Sequence, residues 1–127
     1  MSNYYDWEGF ADIYLEDSFV LRICESSDEI TFTVEAVLTE NHPLYTPPEN
    51  DEQYCYKKAK IVFQDLSSVV WVNRDETPFK DVSGEEDYGN IDVFQLLNGR
   101  YRLSGDWGEL EVTSSSVKWI WILSSNN

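Results

Sequence analysis

Apolar and polar residues alternate along much of the chain. Ile30, Phe32, Val34, Ala36 and Leu38 are interleaved with Thr31, Thr33, Glu35 and Thr39, the period-two pattern of a strand buried on one face. The clearest local signal is Asn98-Gly99, flanked by Ile91–Leu97 and Arg100–Ser104. A two-residue type I′ turn needs positive φ at both positions, and Asn-Gly supplies it. The turn sets Leu96 opposite Tyr101 and Phe94 opposite Leu103, with Gln95 facing Arg102 on the other side. Continuing the apolar face through Gly105-Asp106-Trp107-Gly108 pairs Leu103 with Leu110 and Tyr101 with Val112. A further turn at Ser114-Ser115 then pairs Leu110 with Trp119 and Val112 with Val117. On the reverse face this register lines up Gln95, Arg102, Glu111 and Lys118, which were not used to choose it. The agreement predicts a roughly four-stranded meander from Ile91 to Leu123.

The N-terminal third predicts a similar arrangement. A turn near Ser26-Ser27 pairs Ile23 with Ile30 and Leu21 with Phe32. A turn at Glu16-Asp17-Ser18 pairs Leu15 with Phe19 and Ile13 with Leu21, bringing Asp12 to Arg22. Trp7, Phe10, Ala11 and Tyr14 also fit one stripe of a short helix, so a helical turn ahead of a shorter strand competes with a strand over Phe10–Leu15. Between the two meanders, Tyr54–Gln64 and Ser68–Asn73 read as a hairpin, with Ala59, Ile61, Phe63, Val69 and Trp71 turned inward. In Val117–Leu123, alternation sends Trp119 and Trp121 inward with Val117 and Leu123. Ile120 and Ile122 fall on a reverse face that Tyr4–Trp7 or a subunit contact is expected to cover. About nine short strands result. The predicted fold is all-β: antiparallel meanders forming a sandwich or a partly open barrel with little or no helix, as a single domain over residues 1–127.

Charge narrows the partners. Nine Lys and Arg stand against 24 Asp and Glu, a net charge of -15, which repels phosphate backbones and anionic lipid and attracts a basic protein. Nucleic acid and membrane are therefore not expected as partners. With aromatics at 15% of residues, the charge belongs to a folded body rather than a disordered acidic tail. No stretch approaches a membrane span, and the first residues lack a basic region followed by an apolar run. The expectation is a cytoplasmic protein with Cys24 and Cys55 reduced, although a disulfide between them is left open by the sequence.

Two long connections stand out. Residues 40–53 carry Pro43, Pro47 and Pro48 around Leu44 and Tyr45, and residues 73–90 carry Asp75, Glu76, Asp81, Glu85, Glu86 and Asp87. Loops of this length usually have a function or are disordered. His42 is the only histidine, and no Ser or Cys stands at a nucleophile motif spacing from it. A triad with Cys24 or Cys55 is open to assembly in space, but a turn histidine before proline is the simpler role. Zinc needs about four soft ligands, more than the His and Cys residues supply. Asp81–Asp92 resembles a calcium loop in its oxygen positions, but Glu86 replaces the required glycine and Asp92 the bidentate Glu. No metal, cofactor or catalytic residue is predicted.

His42-Pro43 with Tyr45 and Pro47-Pro48, Glu52 before Cys55-Tyr56, Gly89-Asn90-Ile91-Asp92, and Tyr101–Leu103 leading into Gly105-Asp106-Trp107-Gly108 resemble a small family of uncharacterised bacterial proteins with no known activity. The resemblance spans roughly residues 36–107 and implies a bacterial, stand-alone cytoplasmic domain. The functional expectation is a non-enzymatic acidic interaction domain, in the manner of an immunity protein that holds a basic protein, with His42, Pro43, Tyr45, Pro47 and Pro48 as binding residues. The alternative is a small hydrolase or ligand-binding β-barrel with its site near the 40–53 and 73–90 loops. A monomer or weak homodimer is expected.

Overall fold

The computed structural model describes residues 1–49 and 51–123. Its strands are β1 (Ser2–Asn3), β2 (Ile13–Glu25), β3 (Glu29–Leu38), β4 (Cys55–Arg74), β5 (Phe79–Lys80), β6 (Glu86–Asp87), β7 (Ile91–Leu97), β8 (Arg100–Gly105) and β9 (Gly108–Trp121). Seven of them form one antiparallel sheet in the order β1-β7-β8-β9-β4-β3-β2, and β5 and β6 form a separate ribbon. The chain is all-β as predicted, with one 3-10 turn at Tyr4–Asp6 ahead of β2. The stripe of Trp7, Phe10, Ala11 and Tyr14 is not helical: the 3-10 turn precedes it, residues 7–12 are turns and bends, and the strand starts at Ile13 rather than Phe10.

The sheet curls around its core without closing into a barrel. Its distant members meet where the Val20 N–H donates to the Gly89 carbonyl at 2.7 Å and the Tyr88 N–H to the Val20 carbonyl at 2.8 Å. The concave face holds one continuous core that includes Leu15, Phe32, Ile61, Phe63, Phe94, Leu103, Trp107 and Leu110, all essentially inaccessible. Tyr4, Trp7 and Phe10 plug one end, with Trp7 edge-on to Phe94 and Tyr101 and Phe10 edge-on to Trp119. Trp7 therefore lies on the concave side. It does not cover the reverse face of β9, where Ile120 and Ile122 are 46% and 39% exposed.

The Asn98-Gly99 turn, with φ of 53° and 77°, sets the register the sequence dictates: Leu96 opposite Tyr101, Phe94 opposite Leu103, Leu103 opposite Leu110, and Arg102 between Gln95 and Glu111. The expected turn at Ser114-Ser115 does not form. β9 runs straight on and pairs with β4, so Lys118 lies opposite Val62 and leaves the predicted polar row. The expected hairpin between Tyr54–Gln64 and Ser68–Asn73 is likewise one long strand. Both turn signals fall at the same place, a shared irregularity where Leu66 pairs Ser114 and Ser68 pairs Thr113. There Asp65 adopts φ 52°, the Ser114 hydroxyl bonds the Gln64 and Ser116 carbonyls, and the Ser115 hydroxyl donates to Asp65. Polar side chains satisfy the disturbed ladder locally, so two bulged strands replace two turns.

β2 shows the same substitution. Ser18 does not turn the chain: its buried hydroxyl donates to the Tyr14 carbonyl at 2.7 Å and accepts from the Val37 N–H at 2.9 Å, bridging an irregularity within one strand. Ile23 pairs Phe32, two residues from the expected register, because the turn falls at Ser27-Asp28 with the Ser26 N–H on the Glu29 carbonyl. Past an irregularity between Val20 and Arg22, Val20 pairs Val34, one residue from the expected register. Arg22 pairs Thr33, away from Asp12. Leu123 lies beyond β9 and is 78% exposed, not inward.

Candidate functional site

The five loop residues singled out by the sequence are placed as follows. Tight turns run through the segment, with the His42 N–H on the Thr39 carbonyl and the Tyr45 N–H on the His42 carbonyl, both at 3.0 Å. The His42 Nδ1 accepts the Leu44 N–H at 3.0 Å, and the ring lies edge-on to Trp121 at 5.2 Å. Partial burial lowers its pKa, opposed by the charge of Asp12. His42 thus ends an aromatic series through Trp121 and Trp119 to Phe10. Tyr45 and Pro48 share a shallow hollow of 370 Å³ with Tyr14, Tyr54 and Cys55. Pro47 and Pro48 line a smaller one of 170 Å³ with Tyr56 and Lys57. Pro43 is exposed on the turn. The structure brings Tyr45, Pro47 and Pro48 near Tyr54, while Pro43 and the His42 ring line neither hollow.

Both cysteines are free, Cys24 exposed and Cys55 buried. Cys24 lies in the row that crosses Thr31 to Val62, seven residues along β4 from Cys55. At strand rise that is more than about 20 Å, far beyond disulfide reach.

A more convergent site lies between the two long loops. Glu16, Asp17 and Phe19 of β2, Tyr54 and Tyr56 at the start of β4, Phe79 of β5, Asp87 of β6, and Asn90 and Asp106 enclose a cleft of 520 Å³. Four carboxylates line it and no Lys, Arg or His does. Its aromatic wall is continuous: Phe19 stacks on Tyr56 at 6.0 Å, and Tyr54 stands edge-on to Tyr56 at 6.1 Å. The negative field is felt by the phenols. Hydrogen bonding to Asp17 and its charge raise the Tyr54 pKa. Burial first, and then the charges of Glu35, Tyr54, Asp17 and Glu52, raise that of Tyr56.

One wall of this cleft is a clasp made from the glycine motifs. The buried Trp107 donates its indole N–H to the Asn90 carbonyl at 2.9 Å, and the Asn90 amide donates to the Glu16 carbonyl at 3.0 Å. Gly105 sits so close to Asn90 and Trp107 that a Cβ would overlap both, and a Cβ on Gly89, at φ 90°, would overlap Asp106. Gly89-Asn90 and Gly105-Asp106-Trp107-Gly108 therefore close the curled sheet and fix Asp106 at the cleft. The Asn90 Oδ1 is buried there without a hydrogen-bond partner.

The calcium-like segment is satisfied internally. Asp81 accepts from the Ser83 N–H and hydroxyl and from the Glu85 N–H, which lowers its pKa, the Ser83 side chain first. Among the described residues no group of His, Cys, Asp and Glu is gathered in a metal-holding arrangement, and no helix is long and apolar enough to cross a membrane. No family model, curated protein or solved structure matches the chain.

Proposed function

We propose that the chain is a non-enzymatic acidic interaction domain that holds a basic segment of a protein partner, with a Lys or Arg side chain entering the cleft between the 40–53 and 73–90 loops. The observation that carries this reading is the lining of that cleft: Glu16, Asp17, Asp87 and Asp106 with Phe19, Tyr54, Tyr56 and Phe79, and no cation. Carboxylates attract a cation over a distance, and aromatic faces hold it at contact, worth about 0.5–2 kcal/mol per cation–ring pair. The net charge of -15 steers a basic protein to the surface at large, and the cleft supplies the specific contact. Neutralisation of a basic toxin, as by an immunity protein, is the specific form of that role, in a bacterial cytoplasm and as a monomer or weak homodimer.

Hydrolysis at the same cleft has less support. The Ser18 hydroxyl is committed to the Tyr14 carbonyl and the Val37 N–H, and His42 lies against Trp121 instead. The hydroxyl and the imidazole that a Ser–His pair needs are not brought together.

Charge-matched variants test the proposal. Asp17→Lys alters the cleft, while Asp28→Lys makes the same change at the exposed β2–β3 turn. Titration with an Arg-rich peptide at low salt is expected to show a loss of about tenfold or more in affinity for Asp17→Lys and much less for Asp28→Lys. Equal losses would mean that only the overall field is sensed.

A further inference from the structure

β9 is paired on both sides for only part of its length. Over Gly108–Val112 it lies between β8 and β4. β8 begins at Arg100, next to the Asn98-Gly99 turn, so the rest of β9 keeps β4 alone. The Ile122 N–H donates to the Lys58 carbonyl at 3.0 Å, and Ile120 to Lys60 and Lys118 to Val62 follow in register. Alternation along an antiparallel pair then turns the N–H and C=O groups of Val117, Trp119 and Trp121 away from β4. Among the described residues, no strand pairing or backbone hydrogen bond meets them from that side.

A groove of 590 Å³ runs along this edge. Trp7, Phe10, Leu96, Tyr101 and Trp119 give it an aromatic and apolar surface, and Glu8 and Gly9 line it as well. The Trp119 indole N–H is buried there without a partner. The convex side has different chemistry. Arg22, Thr33, Lys60 and Ile120 form one row straight across four strands, and Cys24, Thr31, Val62 and Lys118 form the next. The ion pairs of the described residues use Arg74, Arg100 and Arg102, so Arg22, Lys60 and Lys118 are cations without an ion pair in a strongly acidic protein.

We propose that the free edge of β9 from Val117 to Trp121 is a strand-addition site for an extended segment of a partner protein that alternates apolar with acidic residues. Its backbone completes the ladder, its apolar side chains enter the aromatic groove, and its carboxylates lie on the convex face beside Lys118, with Lys60 one strand further in on β4. A second copy of this chain is a poorer occupant, since edge-to-edge pairing brings together two bodies of net charge -15. The site is separate from the acidic cleft and does not depend on it.

Amide hydrogen exchange on the 127-residue chain tests this, with a synthetic peptide of about seven alternating Val and Asp residues as the probe. The free protein is expected to exchange the Val117 and Trp119 amides quickly and those of Lys118 and Ile120 slowly. The peptide should slow the first pair by about tenfold or more and leave the second unchanged. Lys118→Glu should weaken binding of the Val–Asp peptide by about tenfold and favour a Val–Lys peptide instead. Val117→Pro removes one outward donor at an edge position that tolerates proline and should abolish binding. If circular dichroism shows that this variant does not fold, Lys118→Glu decides. Slow exchange of Val117 and Trp119 in a free monomer, no protection at millimolar peptide, or indifference to Lys118→Glu would overturn the proposal. So would protection that appears without peptide as the chain dimerises, which would assign the edge to a second copy.

Discussion

Tyr4 shows how much one side chain does at the plugged end of the sheet. Its buried hydroxyl accepts the Leu15 N–H at 3.1 Å and donates toward Glu16, 2.7 Å away, with the Ile13 carbonyl at 3.3 Å. Burial, ahead of any other cause, holds its pKa well above the usual phenol range. Because the folded-state value is raised, its contribution is complete below the ordinary tyrosine pKa and is lost as the pH climbs past it. Tyr4→Phe should cost about 1–3 kcal/mol in urea unfolding at neutral pH, since it strands the Leu15 N–H, and should flatten the decline in stability above pH ~10. Glu35 has the same sign at lower pH: burial raises its carboxyl pKa, with Lys58 opposing. Its charged form is therefore disfavoured on folding, and Glu35→Gln should raise the melting temperature near pH 7 but not near pH 4. A variant that melts lower at pH 7 would contradict that sign. Neither role is readable from the sequence, where Tyr4 reads only as a cover for the reverse face of β9. Whether a carboxyl lies buried or solvated depends on strands far apart in the chain.

Among the elements, β7–β8–β9 follows from local chemistry and β4–β9 does not. Asn98-Gly99 and Gly105-Asp106-Trp107-Gly108 are turns whose backbone demands are met by the residues themselves, so Phe94, Leu103 and Leu110 stack as predicted. Leu103→Ala should cost about 2–5 kcal/mol in chemical unfolding, because Leu103 is fully buried between the other two. A loss below about 1 kcal/mol, the range of surface sites, would put the register in question. Ser114-Ser115 and Asp65–Ser68 carry turn-like composition, yet they face each other in two long strands. Hydroxyls that satisfy a turn satisfy a bulge equally well, and only the partner strand decides between them. Gly105→Ala should disrupt the clasp more than its small volume suggests, since its Cβ meets the Asn90 carbonyl and the Trp107 indole. Loss of the near-ultraviolet dichroism of the buried Trp107 is the expected sign.

At the scale of the whole molecule, composition makes the acidity legible and alternation makes the all-β class legible, but neither shows where the charge gathers. The loop residues His42, Pro43, Tyr45, Pro47 and Pro48 stand out in the sequence as a proline-rich stretch around a tyrosine. The cleft draws Glu16 and Asp17 from β2, Tyr54 from just before β4 and Tyr56 from within it, Asp87 from β6 and Asp106 from the β8–β9 turn, positions that only the curl of the sheet assembles. Acid residues were too numerous for any to stand out. The Gly89-Asn90 and Gly105–Gly108 motifs were visible, and their role is to hold that curl closed. Self-repulsion of the -15 charge predicts that the melting temperature rises from low salt to ~0.5 M sodium chloride, where screening falls to several Å. A flat response would mean the charges are already dispersed or neutralised. The same salt should weaken the capture of a basic partner. The most direct test of that capture is a nuclear magnetic resonance titration of the intact chain with an Arg-rich peptide. The cleft reading predicts that the ring signals of Phe19, Tyr54, Tyr56 and Phe79 shift first and saturate together. Shifts scattered over acidic residues elsewhere, with those rings unmoved, would contradict it.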